Sequence, residues 1–190
     1  MKILFIRHGE STDDIDDQYG GWADFDLTDK GKQQLAHSSA EIGKLGLDFE
    51  LIIHSPLKRA SQSAKVLADK LNLEMEELVW LKERNKYGLL SGMTKEKGVA
   101  DFPELVQMLE DGYVYGAEPG NMFDKRVSEA YDILRSYKQP LIAVTHGGFL
   151  NSLVDNHLNG GSYVKAGDGG YILVETDNDT IIDSFSFELG

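Results

Sequence analysis

Two short apolar segments, each running into a histidine and a glycine, constrain what this chain can fold into. Residues 2–6 lead into Arg7-His8-Gly9, and residues 141–145 lead into His146-Gly147-Gly148. Apolar runs of this length are typical of buried parallel strands, and open α/β sheets carry their ligands at the carboxyl ends of such strands. We therefore expect both histidines at one edge of a sheet, close together in space.

Strand-like and helix-like segments alternate along the rest of the chain. The pattern predicts strands at residues 2–7, 51–53, 76–82, 141–145, 170–175 and 180–186, and helices at residues 28–45, 121–138, 148–157 and from Ser55-Pro56 to about residue 71. This alternation predicts an α/β fold, a three-layer α/β/α sandwich with a mainly parallel central sheet. We expect one domain over residues 1–190, with a small cap insertion of loops and short helices near residues 88–120.

The charge balance limits the partners of the chain. It has 19 basic and 32 acidic residues, for a net charge of −13, whereas nucleic acids and anionic membranes bind basic surfaces. The absence of cysteine excludes disulfides, thiolate catalysis and thiolate metal sites. The apolar run at the start is too short for a signal peptide or a membrane span. We expect a cytoplasmic enzyme, with no nucleic acid or membrane as partner and with its oligomeric state left open.

Four motifs follow one another in an order that resembles a known enzyme family. They are Arg7-His8-Gly9-Glu10-Ser11, then Ser55-Pro56-Leu57-Lys58-Arg59-Ala60, then Glu83, and then Thr145-His146-Gly147. This series resembles the histidine phosphatase superfamily, also called the phosphoglycerate mutase-like family, from residue 2 to about residue 155. The resemblance implies a phosphomonoesterase of the histidine acid phosphatase type, which takes a small phosphorylated substrate and transfers its phosphoryl group through a histidine.

The residue types in these motifs suit that chemistry. A phosphate monoester is a dianion, and the guanidinium groups of Arg7 and Arg59 can each bind two phosphate oxygens. His8 is the candidate nucleophile, because a neutral imidazole can attack phosphorus and form a phosphohistidine that water later hydrolyses. Its other ring nitrogen is expected to donate to a backbone carbonyl. His146 would stabilise the equatorial oxygens of the transferring group.

Further residues are expected around this centre. Glu83 resembles the acid of the family, which protonates the leaving oxygen and then deprotonates the attacking water. Arg84 has two interpretations, contact with the non-phosphate end of the substrate or a solvated side chain, and Lys86 has the same two. The hydroxyl of Ser11 and the backbone at Gly20, Gly21 and Gly147 are further candidates for substrate binding.

Asp14 departs from the family pattern. The family commonly has an asparagine seven residues after the arginine of the first motif, where its amide donates to the phosphate, and here that position is Asp14. An ionised carboxylate cannot donate and would repel a phosphate dianion. Three interpretations stay open: Asp14 turns away, Asp14 is protonated, or the site prefers an unusual substrate.

Hydrolysis of a phosphate monoester is the function that we favour from the sequence. Mutases of the family, as the resemblance implies, carry a longer insertion with paired arginines, whereas residues 93–120 here offer only Lys95 and Lys97 as cations, among six acidic residues. A phosphoglycerate mutase-type phosphotransferase is the alternative, and a non-catalytic phosphate-binding protein is the third interpretation.

No residues are spaced as metal ligands, so we expect a metal-independent reaction without cofactors. The other histidines, His37, His54 and His157, are interpreted as packing or surface residues, although His54 could line the pocket.

Overall fold

A six-stranded sheet forms the centre of the molecule. The computed structural model describes residues 1–159 and 165–187. Its strands are β1 (Lys2–Arg7), β2 (Leu51–His54), β3 (Glu74–Glu77), β4 (Leu141–Thr145), β5 (Tyr171–Glu175) and β6 (Thr180–Phe185). They lie in the order β3-β2-β4-β1-β5-β6, in which the first four strands are parallel, while β5 and β6 pair antiparallel. The prediction of a mainly parallel sheet is confirmed.

Helices cover both faces of this sheet. They are α1 (Thr12–Ile15), α2 (Asp29–Lys44), α3 (Lys58–Leu71), α4 (Lys95–Asp101), α5 (Pro103–Glu110), α6 (Gly120–Arg135) and α7 (Gly147–His157). Because successive side chains of a strand point to opposite faces, Ile3 and Phe5 of β1 pack with α6 and α7, while Leu4 and Ile6 pack with α2 and α3. The α/β fold is therefore three-layered, as predicted. No helix within the described residues is long and apolar enough to cross a membrane.

Neighbouring parallel strands bring the two histidine motifs together. β1 pairs with β4 in a register that places Arg7 opposite Thr145. The next residues, His8 and His146, therefore leave the sheet side by side at its carboxyl edge. The backbone N–H of His8 donates to the carbonyl of Thr145 at 3.0 Å, which holds the two chain segments together at this edge.

Two predicted elements differ from those in the structure. Helix α3 begins at Lys58 rather than at Ser55-Pro56, because a proline disfavours the helical conformation in the preceding residue and Ser55 still donates to the carbonyl of Val144. Strand β3 covers Glu74–Glu77 rather than residues 76–82, because its partner β2 is only four residues long. Residues Val79–Leu81 form a 3-10 turn instead. The other boundaries agree within about three residues.

Residues 88–120 form a layer of short helices over the loop that precedes α2. This segment contains a 3-10 turn at Gly88–Leu90 and the helices α4 and α5. Leu90 and Val114 are buried together with Tyr19, which belongs to the loop. The backbone of Tyr19 also donates to the carbonyl of Met93 and accepts from Gly92. The organisation of residues 1–190 as one domain stays a prediction.

Candidate active site

The two histidines at the carboxyl edge of the sheet are in contact. The ring centroids of His8 and His146 lie 5.1 Å apart, with the rings edge to face. His8 is 6% exposed and His146 is fully buried. At this depth a neutral imidazole is strongly favoured over a charged one.

Hydrogen bonds define which nitrogen of His8 is free to react. Its Nδ1 atom lies 2.8 Å from the carbonyl oxygen of Gly9, which can only accept, so Nδ1 carries the proton. The Nε2 atom accepts from Nε of Arg59 at 3.2 Å. Burial lowers the pKa of His8 well below its ordinary value, and the positive charges of Arg59 and Arg7 lower it further. His8 therefore presents an unprotonated Nε2 atom, as a nucleophile must.

Ser55 orients His146. Its Oγ atom lies 2.8 Å from Nε2 of His146 and also accepts from the backbone N–H of Leu57. Because a hydroxyl can both donate and accept, this contact fits either tautomer of the His146 ring. Among the described residues, Nδ1 of His146 is buried without a hydrogen-bond partner. Burial lowers the pKa of His146 well below its ordinary value, and the charge of Arg59 lowers it further. The neutral ring thus has one nitrogen, Nδ1, that is available to a ligand.

Arg59 connects His8 to the loop of residues 11–25. It is the second residue of α3, near the positive end of the helix, and it is 3% exposed. Besides its bond to His8, it donates through Nη1 to the carbonyl of Ala23 and through Nη2 to the carbonyl of Gly21, both at 3.0 Å. Burial lowers the pKa of Arg59, although arginine remains charged in proteins.

Arg7 keeps part of its guanidinium group available. Its Nη2 atom forms an ion pair with Oδ1 of Asp168 at 2.8 Å. Its Nε atom is buried and has no acceptor within the part of the chain that the structure describes. Gly147 lies against the guanidinium plane, because a Cβ atom there would be 3.4 Å from Cζ of Arg7. An oxyanion at this position would find an unsatisfied donor.

Glu83 is held at the amino end of α7. Its Oε2 atom accepts from the backbone N–H of Gly148 at 2.9 Å, and its Oε1 atom accepts from Arg84 N at 2.7 Å. The carboxylate comes so close that a Cβ atom at position 148 would collide with it. The carbonyl of Glu83 accepts from the indole of Trp22 and from Arg126, which fixes the segment from both sides.

The loop of residues 11–25 supplies a more acidic wall. The hydroxyl of Ser11 donates to Oδ1 of Asp13 at 2.6 Å, so it is engaged within the loop. Oδ2 of Asp14 accepts from the backbone N–H of Ser11 at 3.1 Å, at the start of α1. Asp14 also lines the cleft. Gly21 has φ = +58°, a conformation that favours glycine, and its carbonyl faces Arg59.

These groups line a cleft of about 870 Å³ at the carboxyl edge of the sheet. Of the residues expected from the sequence, the cleft is lined by Arg7, His8, Asp14, Gly20, Gly21, Arg59, Glu83, Arg84, Lys86 and Gly147. His146 lies behind this surface in contact with His8, and Ser11 lies outside the lining. His54 is buried elsewhere, and His37 stacks on Phe185 away from the cleft.

Four residues have positions in the site that the sequence analysis did not assign. Ser55 contacts His146, Gly148 binds Glu83, Arg126 holds the carbonyl of Glu83, and Asp168 pairs with Arg7. The glycine pair at residues 147 and 148 and the segment Gly167-Asp168-Gly169-Gly170 were available as signals, whereas nothing local marks Arg126. Within the described residues, no group of three or more histidine and carboxylate side chains could hold a metal ion.

Comparison with known proteins gives the same family as the motifs. The sequence pattern of the histidine phosphatase superfamily (branch 1) matches residues 3–166. The 2,3-bisphosphoglycerate-dependent phosphoglycerate mutase of Elusimicrobium minutum is 32% identical over 121 residues, which are 62% of this chain and 49% of the mutase. The chain therefore spans about half the length of the curated relatives that it matches.

Solved structures show the same fold. A putative α-ribazole-5′-P phosphatase from Escherichia coli superimposes with a TM-score of 0.81 at 20% identity, over 98% of this chain and 95% of that one. A mycobacterial glucosyl-3-phosphoglycerate phosphatase, in complex with VO3, gives a TM-score of 0.72 at 20% identity over 92% of both chains. Together with the matched residues 3–166, these findings show that the chain belongs to the histidine phosphatase superfamily.

Proposed function

We propose that this protein is a phosphatase that hydrolyses a phosphate monoester through a phosphohistidine on His8. The observation that carries the proposal is the unprotonated Nε2 atom of His8, held beside Arg59 and against the ring of His146. This arrangement combines a nucleophile, a fixed positive charge and a second donor in one buried place. These are the groups that phosphoryl transfer requires.

In the first step, the phosphate binds between the arginines and His8 attacks it. The Nε atom of Arg7 and the Nδ1 atom of His146 have no partners within the described residues. In this mechanism His146 carries its ring proton on Nδ1, so that both atoms donate to the phosphate oxygens. A bond forms between His8 Nε2 and phosphorus while the bond from phosphorus to the leaving oxygen breaks. Glu83, as general acid, gives its proton to that oxygen. The contact between His8 Nδ1 and Gly9 keeps the ring oriented throughout.

In the second step, water attacks the phosphohistidine. Glu83 now accepts a proton from the water, which completes its return to the acid form. The bond from phosphorus to Nε2 breaks, its electron pair returns to His8, and orthophosphate leaves. The backbone donors of Gly148 and Arg84 hold the Glu83 carboxylate in one place, so the same group can serve both steps.

The small number of basic residues in the segment 93–120 favours hydrolysis over mutase activity. Between residues 93 and 120 the basic residues are Lys95 and Lys97, and Lys95 is paired with Asp17. A mutase must hold a polyanionic phosphoglycerate while the phosphoryl group moves to a second hydroxyl. Two solved structures that cover nearly the whole chain also carry phosphatase names. We also propose that the reaction needs no metal ion, because the arginines already supply the positive field.

Mutase activity is the second candidate, on two observations. The curated relatives are named as phosphoglycerate mutases. In addition, Arg84 and Lys86 line the cleft and form no ion pair with any described residue, so they are available to a second anionic group. The two reactions differ only in whether water or a substrate hydroxyl receives the phosphoryl group.

Trapping the intermediate tests the proposal. Enzyme mixed with a radiolabelled phosphate ester and quenched with denaturant at alkaline pH should carry label that acid then releases. His8→Ala should lose both label and turnover, while the matched variant His37→Ala, at an exposed histidine of α2, should keep both. Label on His8→Ala would overturn the proposal, and failure to turn over an aryl phosphate would favour a binding protein. Phosphoglycerates should yield orthophosphate, both with and without a bisphosphorylated primer. Formation of the isomeric phosphoglycerate would instead identify a mutase.

A further inference from the structure

A rigid turn presents Asp168 to Arg7. The turn of residues 166–170 lies along the start of the site, since Arg7 N donates to the carbonyl of Gly170 at 2.9 Å and Gly169 N donates to the carbonyl of His8 at 3.0 Å. Gly169 has φ = +72°, and its carbonyl accepts from the hydroxyl of Ser38 at 2.6 Å. These bonds fix where the side chain of Asp168 lies relative to the arginine.

The contact between Asp168 and Arg7 is an incomplete one. Oδ1 of Asp168 lies 2.8 Å from Nη2 of Arg7, but this oxygen forms no bond of hydrogen-bond geometry within the described residues. Nε of Arg7, on the same edge of the guanidinium group, has no acceptor there either. Carboxylates and phosphates typically engage arginine with two parallel bonds. Asp168 therefore balances the charge of Arg7 at Nη2 but leaves Nε, on the same edge, without an acceptor.

Charges from four elements face Asp168. Arg7 at the end of β1 attracts its negative form, as does Lys30 of α2, whereas Asp14 of α1 and Glu10 of the loop after β1 repel it. Burial is the largest influence and raises the pKa of Asp168, and the repulsion from Asp14 and Glu10 acts in the same direction. Asp168 consequently accepts a proton more readily than an ordinary aspartate.

We propose that Asp168 determines when Arg7 can bind phosphate, by competing as an internal anion for the same guanidinium group. The proposal rests on the proposed function insofar as Arg7 is a phosphate ligand. A phosphate on Nε and Nη2 of Arg7 would lie within about 4–6 Å of the carboxylate, where like charges repel appreciably. When Asp168 is ionised, phosphate binds weakly, and when Asp168 is protonated, Arg7 is released and phosphate binds tightly. Asp168 thus shifts substrate binding toward acidic pH.

Sulfate is a suitable probe, because its charge does not change over the pH range in which Asp168 titrates. Its dissociation constant would be measured by calorimetry at constant ionic strength, at about pH 8 and about pH 5. Asp168→Asn should bind sulfate at least about tenfold more tightly than the wild type at the higher pH. The difference in sulfate affinity between the two proteins should be smaller at the lower pH. The matched control Asp132→Asn removes the same charge from an exposed site on α6 and should behave as the wild type.

Equal or weaker sulfate binding by Asp168→Asn at the higher pH would overturn the proposal and show that Asp168 only holds Arg7 in place. Asp168→Ser serves as a second variant, and thermal melting checks that each variant folds. One readout needs no variant, since sulfate binding to the wild type should be accompanied by proton uptake. Calorimetry shows this uptake as a heat of binding that depends on the ionisation enthalpy of the buffer. Absence of proton uptake over the whole range between the two pH values would also refute the proposal.

Failure of this inference is distinguishable from failure of the proposed function. The same preparations would be assayed for phosphohistidine on His8. If His8 is labelled but Asp168→Asn binds sulfate with unchanged affinity, only the proposed role of Asp168 is refuted. Absence of label in every preparation removes the catalytic proposal, while tighter sulfate binding by the variant would still establish competition at Arg7.

Discussion

Oγ of Ser55 lies 2.8 Å from Nε2 of His146, so a residue just after β2 orients the histidine that follows β4. The strands β2 and β4 are neighbours, which explains why residues so far apart in sequence meet. His146 has no other side-chain hydrogen bond among the described residues, since its Nδ1 atom is without a partner. A single hydroxyl therefore supplies the side-chain hydrogen bond that orients this ring, beside its packing on His8.

Replacing that hydroxyl should slow the chemical step. We expect Ser55→Ala to lower kcat by about tenfold to a hundredfold, because a catalytic group that shifts by about 1 Å loses that much. KM should change little, since Ser55 does not line the cleft. Steady-state kinetics on an aryl phosphate measure both values. Ser55→Thr keeps the hydroxyl and should retain most of the activity, and an unchanged kcat in Ser55→Ala would contradict the role of Ser55.

The close approach of Glu83 to Gly148 gives a second prediction. In Gly148→Ala the new methyl group would collide with the Glu83 carboxylate and displace it, so kcat should fall by about tenfold or more. The matched control is Gly43→Ala in α2, where a Cβ atom meets nothing within 4 Å. That change should leave kcat unaltered and raise the free energy of unfolding by about 0.5–1 kcal/mol. Full activity in Gly148→Ala would show that Glu83 is not the general acid.

The sequence predicts the framework of this site because the framework depends on local patterns. Continuous apolar runs identify β1 and β4, and the residues that end a buried parallel strand reach its carboxyl edge. The positions of His8 and His146 follow from that rule alone. Arg59 is similar, since it lies at the start of a helix whose apolar stripe is visible in the sequence.

The contacts that tune the site could not be predicted in this way. Asp168 reaches Arg7 from the turn before β5, and Arg126 of α6 donates to the carbonyl of Glu83. Both are pairings between residues far apart in sequence, so they depend on how the layers pack. The same holds for β3, whose acidic sequence is a strand only because β2 pairs with it.

The shifted histidine predicts the pH dependence of activity. Burial, with the charges of Arg59 and Arg7, holds the pKa of His8 well below its ordinary value, and the reaction needs the neutral ring. As pH falls, kcat/KM should therefore persist below about pH 6.5, the ordinary histidine value, and decline only at the lower pKa. A pH profile with an aryl phosphate measures this. A loss of activity centred at the ordinary value would show that His8 is not shifted.

The lowered pKa of His8 should preserve activity at acidic pH but reduce the stability of the folded protein there. Between the lowered pKa of folded His8 and its ordinary value in the unfolded chain, the unfolded state binds more protons, so stability falls as pH falls through that window. The loss is at most about 1.4 kcal/mol per pH unit for one group. Urea unfolding at about pH 7 and about pH 5 should show a smaller loss for His8→Gln than for the wild type.

Metal removal should leave turnover unchanged. Two arginines already supply positive charge at the phosphate position, so Lewis-acid assistance is not required by the mechanism proposed. Enzyme treated with EDTA and passed through a desalting column should match untreated enzyme in kcat and KM. The comparison is repeated with added magnesium, and an increase of about tenfold or more in kcat would show that the proposed mechanism lacks a component.

Asp14 leads to a prediction about substrate choice. Its carboxylate lines the cleft where the family commonly has an asparagine amide, and Oδ2 accepts from Ser11 N. In Asp14→Asn the amide oxygen can keep that bond, while the new NH₂ group offers a donor to phosphate and a negative charge is removed. A hydrogen bond to a charged group contributes about 1.5–3 kcal/mol, so kcat/KM toward simple monoesters should rise by about tenfold.

Two comparisons distinguish the role of Asp14 from a general effect of charge. Asp16→Asn removes an equal charge from the exposed end of α1, outside the cleft lining, and should change kcat/KM little. If Asp14 accepts a hydroxyl of the native leaving group, Asp14→Asn should improve an aryl phosphate but impair a hydroxylated ester such as a sugar phosphate. Steady-state kinetics on these two esters, for both variants, decide between repulsion and recognition. Equal changes in kcat/KM for Asp14→Asn and Asp16→Asn on both esters would mean that Asp14 acts only through the overall charge. A direct contact with the substrate would instead make the effect of Asp14→Asn differ between the two esters.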